Sequence, residues 1–160
     1  MRWMVAIVVI LVFACDILSK QAVEQYFLNS PTPRAPIMLC SNFFGIDVAI
    51  SPAINTGAAW GLFASYPKLL AFCRILFIVG LGVYLYYEKP HPSWYFPLAL
   101  IITGAIANVI DFFLYGHVID MLAVTFWGYH YPIFNLADSA IFVGTMAILW
   151  MSLLQKSPST

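Results

Sequence analysis

Long apolar runs alternate with short polar stretches along this chain, and four of the runs reach the roughly 20 residues that a helix needs to cross a bilayer. They cover about residues 3–19, 69–87, 94–114 and 133–154. Trp3, Trp94, Tyr95, Trp150 and the tyrosines at 84–87 lie near the proposed ends, as an interfacial aromatic belt requires. Pro97 falls in the first turn of the third span, where its missing N–H costs little.

The connections differ in kind. Between the first two spans lie about 49 residues, too many for a simple link. Within them SPTPRAP (30–36) predicts an extended, turn-rich stretch, and the β-branched and aromatic NFFGIDVAI (42–50) predicts a strand or two. EKPHPS (88–93) is a short turn. The third loop, residues 115–132, carries the aromatic segment FWGYHY (126–131), whose glycine suggests a loop able to open. Asp47 is expected to be a solvated loop residue.

Counting spans places the polar residues. With four crossings, the end of span one, loop one, the end of span three, loop three and the start of span four share one membrane face. Asp16 and Lys20 close span one, and Asn55 lies in loop one. Asn108 and Asp111 end span three, Asp120 is in loop three, and Asn135 and Asp138 open span four. Four of the five aspartates therefore converge. Gly104, Asn108 and Asp111, at i, i+4 and i+7, form one helical stripe, and Gly104 admits a close helix neighbour. A polar pocket at the rim of a four-helix bundle is predicted. Arg2, Lys89 and Lys156 oppose Lys20, Arg34 and Lys68 across the membrane, so the positive-inside rule does not choose the face. Arg74, inside span two, is expected to snorkel or to pair with an acid.

Composition supports the membrane class. The 160 residues suit one domain, and they are 62% hydrophobic and 9% charged, with a mean hydropathy of +0.89. The formal net charge is zero, and no basic tract points to nucleic acid. Cys15, Cys40 and Cys73 are widely spaced and form no CxxC pair; Cys15 and Cys73 read as buried small hydrophobes.

A carboxylate within a span costs roughly 2.5–3.5 kcal/mol on insertion scales, so the acids need a purpose. Two aspartates on facing elements share one proton, because adjacent like charges resist joint ionisation. The ionised member then activates water and the protonated one polarises a carbonyl, which is amide hydrolysis without a covalent intermediate. Asp120 and Asp138 are the candidates, Asp111 is a deeper spare, and Asn55, Asn108 and Asn135 orient them by amide hydrogen bonds. Spacing alone leaves rivals open: a small four-span ion or solute transporter using rim acids, or structural polar packing. Asp16 and Lys20, at i and i+4, also suit a structural pair. His117 and Asp120 would be metal ligands one helical turn apart, but no third ligand has matching spacing, so no metal is expected.

The blocks then match a known family. DILSK (16–20), NTGAAWG (55–61), GAIANVIDFFLYGHVID (104–120) and FNLADS (134–139) resemble, in order and spacing, the four motifs of the bacterial lipoprotein signal peptidases (signal peptidase II), an intramembrane aspartic peptidase family. The resemblance implies an all-α membrane protein of four transmembrane helices. A small β-cradle is implied in the first loop, and a flap or short helix between helices three and four. Its catalytic aspartates fall on Asp120 and Asp138. Its supporting residues fall on Asp16, Lys20, Asn55, Gly57, Gly104, Asn108, Asp111 and Asn135. The implied activity is removal of the signal peptide from diacylglyceryl-modified prolipoproteins, just before the lipidated cysteine, with no metal or cofactor. Residues 1–160 would be one monomeric peptidase domain in the bacterial cytoplasmic (inner) membrane, in contact with lipids. Both termini would be cytoplasmic and the site extracytoplasmic. Phe112 departs from the pattern, standing where the family has arginine; Arg74 and Lys68 are candidate substitutes. Trp60 and Met121 each stand for Phe, and Pro52 predicts an edge or bulge before Asn55.

Overall fold

The four apolar runs fold as long helices, α1 (Arg2–Val23), α2 (Pro67–Glu88), α3 (Tyr95–Tyr115) and α4 (Leu136–Gln155). The computed structural model describes residues 2–57 and 62–155; residues 58–61, Trp60 among them, and Lys156 lie outside the described residues. α1 runs past the expected end and continues through a π-helical turn, Glu24–Leu28. Lys20 ended the apolar pattern, but its side chain turns inward and is 1% exposed, so the helix has no reason to stop there.

α3 is the central helix. Half of its most apolar window is buried (50%), against 6–17% for the other three. Their outward faces are apolar, as a lipid solvent demands. Cys15 and Cys73 follow that rule: they are exposed on helix surfaces rather than buried, because a thin bundle leaves small apolar side chains facing lipid. With no hydrophobic drive between helices in a bilayer, close packing of small residues must hold the bundle. Gly104 of α3 meets Ala137 of α4, and Gly144 of α4 meets Pro97 and Ile101 of α3. A Cβ on Gly144 would stand 2.6 Å from the Pro97 carbonyl oxygen, so the seam needs a glycine from each helix.

The loops build more sheet than predicted. Strands β1 (Ile37–Phe43), β2 (Ile46–Asn55), β3 (Val118–Phe126) and β4 (Tyr129–His130) form one antiparallel sheet in sequence order. The third loop is thus a hairpin rather than a short helix, and it completes the sheet begun by the first loop. The reason is partnership: β3 pairs along β2 from Ile46↔Phe126 to Asn55↔Val118. Asp47 lies within β2, where its carboxylate accepts from the Asn42 N–H at 2.8 Å, so it closes a turn rather than sitting in a loop. Trp127 and Gly128 have φ of 46° and 84°, a two-residue type I′ turn. Gly128 therefore has a place in the turn that its positive φ explains. Pro52 sits at a bulge between Ile50 and Ala53, beyond the last β1 pairing at Ile50, as its missing N–H requires.

The sheet is fixed to the bundle by Ile119 and Met121, which pack with Val23 and Phe27 at the end of the first helix. Because strand side chains alternate, Asp120 points the other way. His117 precedes β3, so His117 and Asp120 are not one helical turn apart.

Candidate active site

Asn135 and Asp138 solve a local problem first. The opening turn of a helix has unpaired N–H groups. Asn135 caps α4: its Oδ1 accepts from the Asp138 N–H at 2.8 Å, while Asp138 Oδ2 accepts from the Asn135 N–H at 3.4 Å. This is a capping box with aspartate in the usual Glu/Gln place. Asp16, reaching across from α1, accepts from the Ala137 N–H at 2.8 Å. The positive end of the helix dipole favours both acids.

Behind the cap lies a sealed ion cluster. The Lys20 ammonium touches Asp16 Oδ2 at 2.6 Å and Asp111 Oδ2 at 2.7 Å, and donates to Asn108 Oδ1 at 3.0 Å. Among the described residues neither of these carboxylate oxygens has a hydrogen-bond partner, so the charge contact with the ammonium alone compensates them. Asn108 passes the network on, its Nδ2 donating to Asp138 Oδ1 at 2.8 Å.

Asp120 is held differently. A backbone bridge between Leu122 and Phe134 ties β3 to the approach of α4 and brings Asn135 alongside. Asn135 Nδ2 donates to Asp120 Oδ1 at 2.7 Å, and Asn55 Nδ2 donates to Oδ2 at 2.8 Å. Asn55 is itself oriented by the Gly57 N–H, which donates to its Oδ1 at 2.9 Å. A Cβ on Gly57 would lie 2.6 Å from the Leu62 carbonyl oxygen. Burial, and then the Asp138 carboxylate, push the Asp120 carboxyl up to about 7, against the stabilising amide bonds and Lys20.

Asp120 and Asp138 line one cavity of about 360 Å³, with Asn55, Arg74, Tyr131 and Phe134 also on its walls. The structure thus gathers the predicted residues into two groups. Asp120, Asp138 and Asn55 face the cavity; Asp16, Lys20 and Asp111 do not, and Asn108 and Asn135 join the two. Gly104 belongs to the helix seam. Sequence reasoning left Arg74 unplaced, although a lone cation in an apolar run was the signal. Lys68 is exposed and absent from the cavity wall. A wall holding two carboxylates, one of which titrates near neutrality, can give and take a proton at one bound water.

The model of the Signal peptidase (SPase) II family matches residues 8–154. The chain belongs to that family. It is therefore a peptidase, and its four apolar helices make it an integral membrane protein. The lipoprotein signal peptidase of Chlamydia caviae is 37% identical over 84% of this chain and 82% of its own length. That of Chlamydia abortus is 36% identical over 88% of each. The fold is shared with a bacterial membrane enzyme solved by the in meso method, with a TM-score of 0.82 at 23% identity, covering 98% of this chain and 92% of that one.

Proposed function

We propose that this chain is an aspartic endopeptidase that removes signal peptides from diacylglyceryl-modified prolipoproteins, cutting just before the lipidated cysteine. Lipoprotein signal peptidases among the relatives support the substrate class. The observation that carries the chemistry is that Asp120 and Asp138 open on one cavity and are held there by asparagine amides.

In this reading one water lies between the two carboxyl groups, which share one proton. The ionised carboxylate takes a proton from water as its oxygen attacks the scissile carbonyl carbon. The protonated partner gives its proton to the carbonyl oxygen. Collapse of the tetrahedral diol breaks the C–N bond. One carboxyl group gives its proton to the departing amine while the other carboxylate takes a proton from a diol hydroxyl. This leaves the new peptide carboxyl group and restores the single shared proton. The shared proton belongs to the pair, not to either residue. Asn55, Asn108 and Asn135 hold the acids, and the Lys20 cluster holds Asn108. A neighbouring apolar cavity of about 380 Å³ shares Asp138 and reaches the exposed Phe142 and Val143, a side on which a lipidated peptide enters from the bilayer. The whole chain acts as one monomeric domain of the bacterial inner membrane, with cytoplasmic termini and the cavity on the outer face.

The test is release of signal peptide from a diacylglyceryl-modified precursor in detergent micelles, where no ion gradient exists. Wild type should cleave, whereas Asp120→Asn and Asp138→Asn should not. Normal turnover by either variant would remove the dyad.

A further inference from the structure

Arg74 stands about two turns into α2, on a helix whose neighbouring Phe72, Leu76 and Phe77 are exposed apolar residues. An arginine within a span costs roughly 2.5–3.5 kcal/mol, and a side chain of that length has the option of snorkelling along lipid to water. This one turns to the cavity instead, where it shares the wall with Asn55, Asp120 and Asp138. Its Nη2 donates to the Gly57 carbonyl oxygen at 3.2 Å. The Gly57 N–H fixes the Asn55 amide at 2.9 Å, and that amide holds Asp120 at 2.8 Å. Three consecutive hydrogen bonds therefore run from α2 to the Asp120 carboxylate.

The charges around the site give the arginine a second role. Asp16 and Lys20 come from α1, Asp111 from α3, Asp120 from β3 and Asp138 from α4. Lys20 is held in contact with Asp16 and Asp111, and its charge also draws the Asp120 carboxyl down. Arg74 is the cation on the wall that Asp120 and Asp138 share. A nearby positive charge favours ionised carboxylates.

We propose that Arg74 is a positioning residue: it holds the Asn55–Gly57 turn that aims Asp120, and its charge, added to that of Lys20, helps to set the pH range in which Asp120 and Asp138 share one proton. The inference rests on the dyad reading above. It makes α2 a working wall of the site rather than only a lipid-facing span.

The experiment follows signal-peptide release from a synthetic diacylglyceryl-modified peptide in micelles, from about pH 5 to 9, for wild type, Arg74→Gln and Arg74→Lys. Arg74→Gln should lower kcat by about 100-fold, the scale of a displaced reacting group, with little change in KM. Its pH profile should move up by about one unit. Arg74→Lys should keep the wild-type pH optimum while losing part of kcat, because an ammonium keeps the charge but not the planar fork. A Gln profile at the wild-type pH, or a Lys profile displaced as far as Gln, overturns the electrostatic role. Thermal unfolding in the same detergent accompanies each variant. Should Arg74→Gln fail to fold, Arg74→Lys decides the positioning role, and an unchanged kcat overturns it. Inactive Asp120→Asn and Asp138→Asn with an unshifted Arg74→Gln would sink this inference alone. Active aspartate variants would sink the dyad.

Discussion

The ion cluster around Lys20 and the cavity wall around Asp120 and Asp138 are built from the same few residue types, and Asn108 touches both. In the first, one ammonium contacts two carboxylates and all three groups are at most 1% exposed. In the second, neutral amides hold the carboxylates beside an open volume. The first group is closed around a contacting cation, whereas the second leaves its carboxylates facing a volume that water or substrate can enter. Two acid pairs at one rim thus differ in both partner and access.

The sharpest way to break this division is to exchange acid for amide on each side. Asp120→Asn and Asp138→Asn should each lower cleavage by at least about 10³-fold, with the folded state retained in thermal unfolding. Lys20→Met should act the other way. Stranding two buried carboxylates costs about 3–5 kcal/mol, so the protein should lose thermal stability, and activity should fall with the folded fraction.

The pH dependence is subtler. Asp120 titrates at about 7 rather than in the ordinary carboxylate range, so the folded state holds a proton there that the unfolded chain has already released. Stability from this residue is present at low pH and is lost as pH rises from about 4 to about 7. Wild-type unfolding temperature should decline over that window, and Asp120→Asn should flatten the decline. Cleavage should weaken on the alkaline side as the shared proton leaves. The smallest effect is expected at Phe112. Arg74 already places a guanidinium on the cavity wall, so Phe112→Arg should leave turnover unchanged in the same micelle assay; a marked rise would show that the site lacks a cation.

Much of this organisation was legible in the chain. Apolar length located the four helices, and crossing parity brought Asp16, Asp111, Asp120 and Asp138 to one end. What escaped depended on partners distant in sequence. Residues 118–126 form a strand because β2 is available to pair with them, which no local pattern encodes. Arg74 reads as a side chain that snorkels or pairs with an acid until the Gly57 carbonyl oxygen is beside it. Cys15 and Cys73 looked buried because small apolar residues are usually inside, a rule made for water and not for lipid. The π-helical continuation of α1 was hidden by Lys20, whose charge marks a helix end only when its partners are unseen.

Asp138 both closes the first turn of α4 and stands on the cavity wall. Glu at this position would preserve the capping chemistry yet carry the carboxyl group about 1.5 Å further out, while Asn would keep the reach and lose the ionisable oxygen. An inhibitor that grips this carboxylate therefore presses on a residue with little room to drift. Substitutions that evade the drug by removing the side-chain oxygen altogether also give up one bond of the cap that starts the helix.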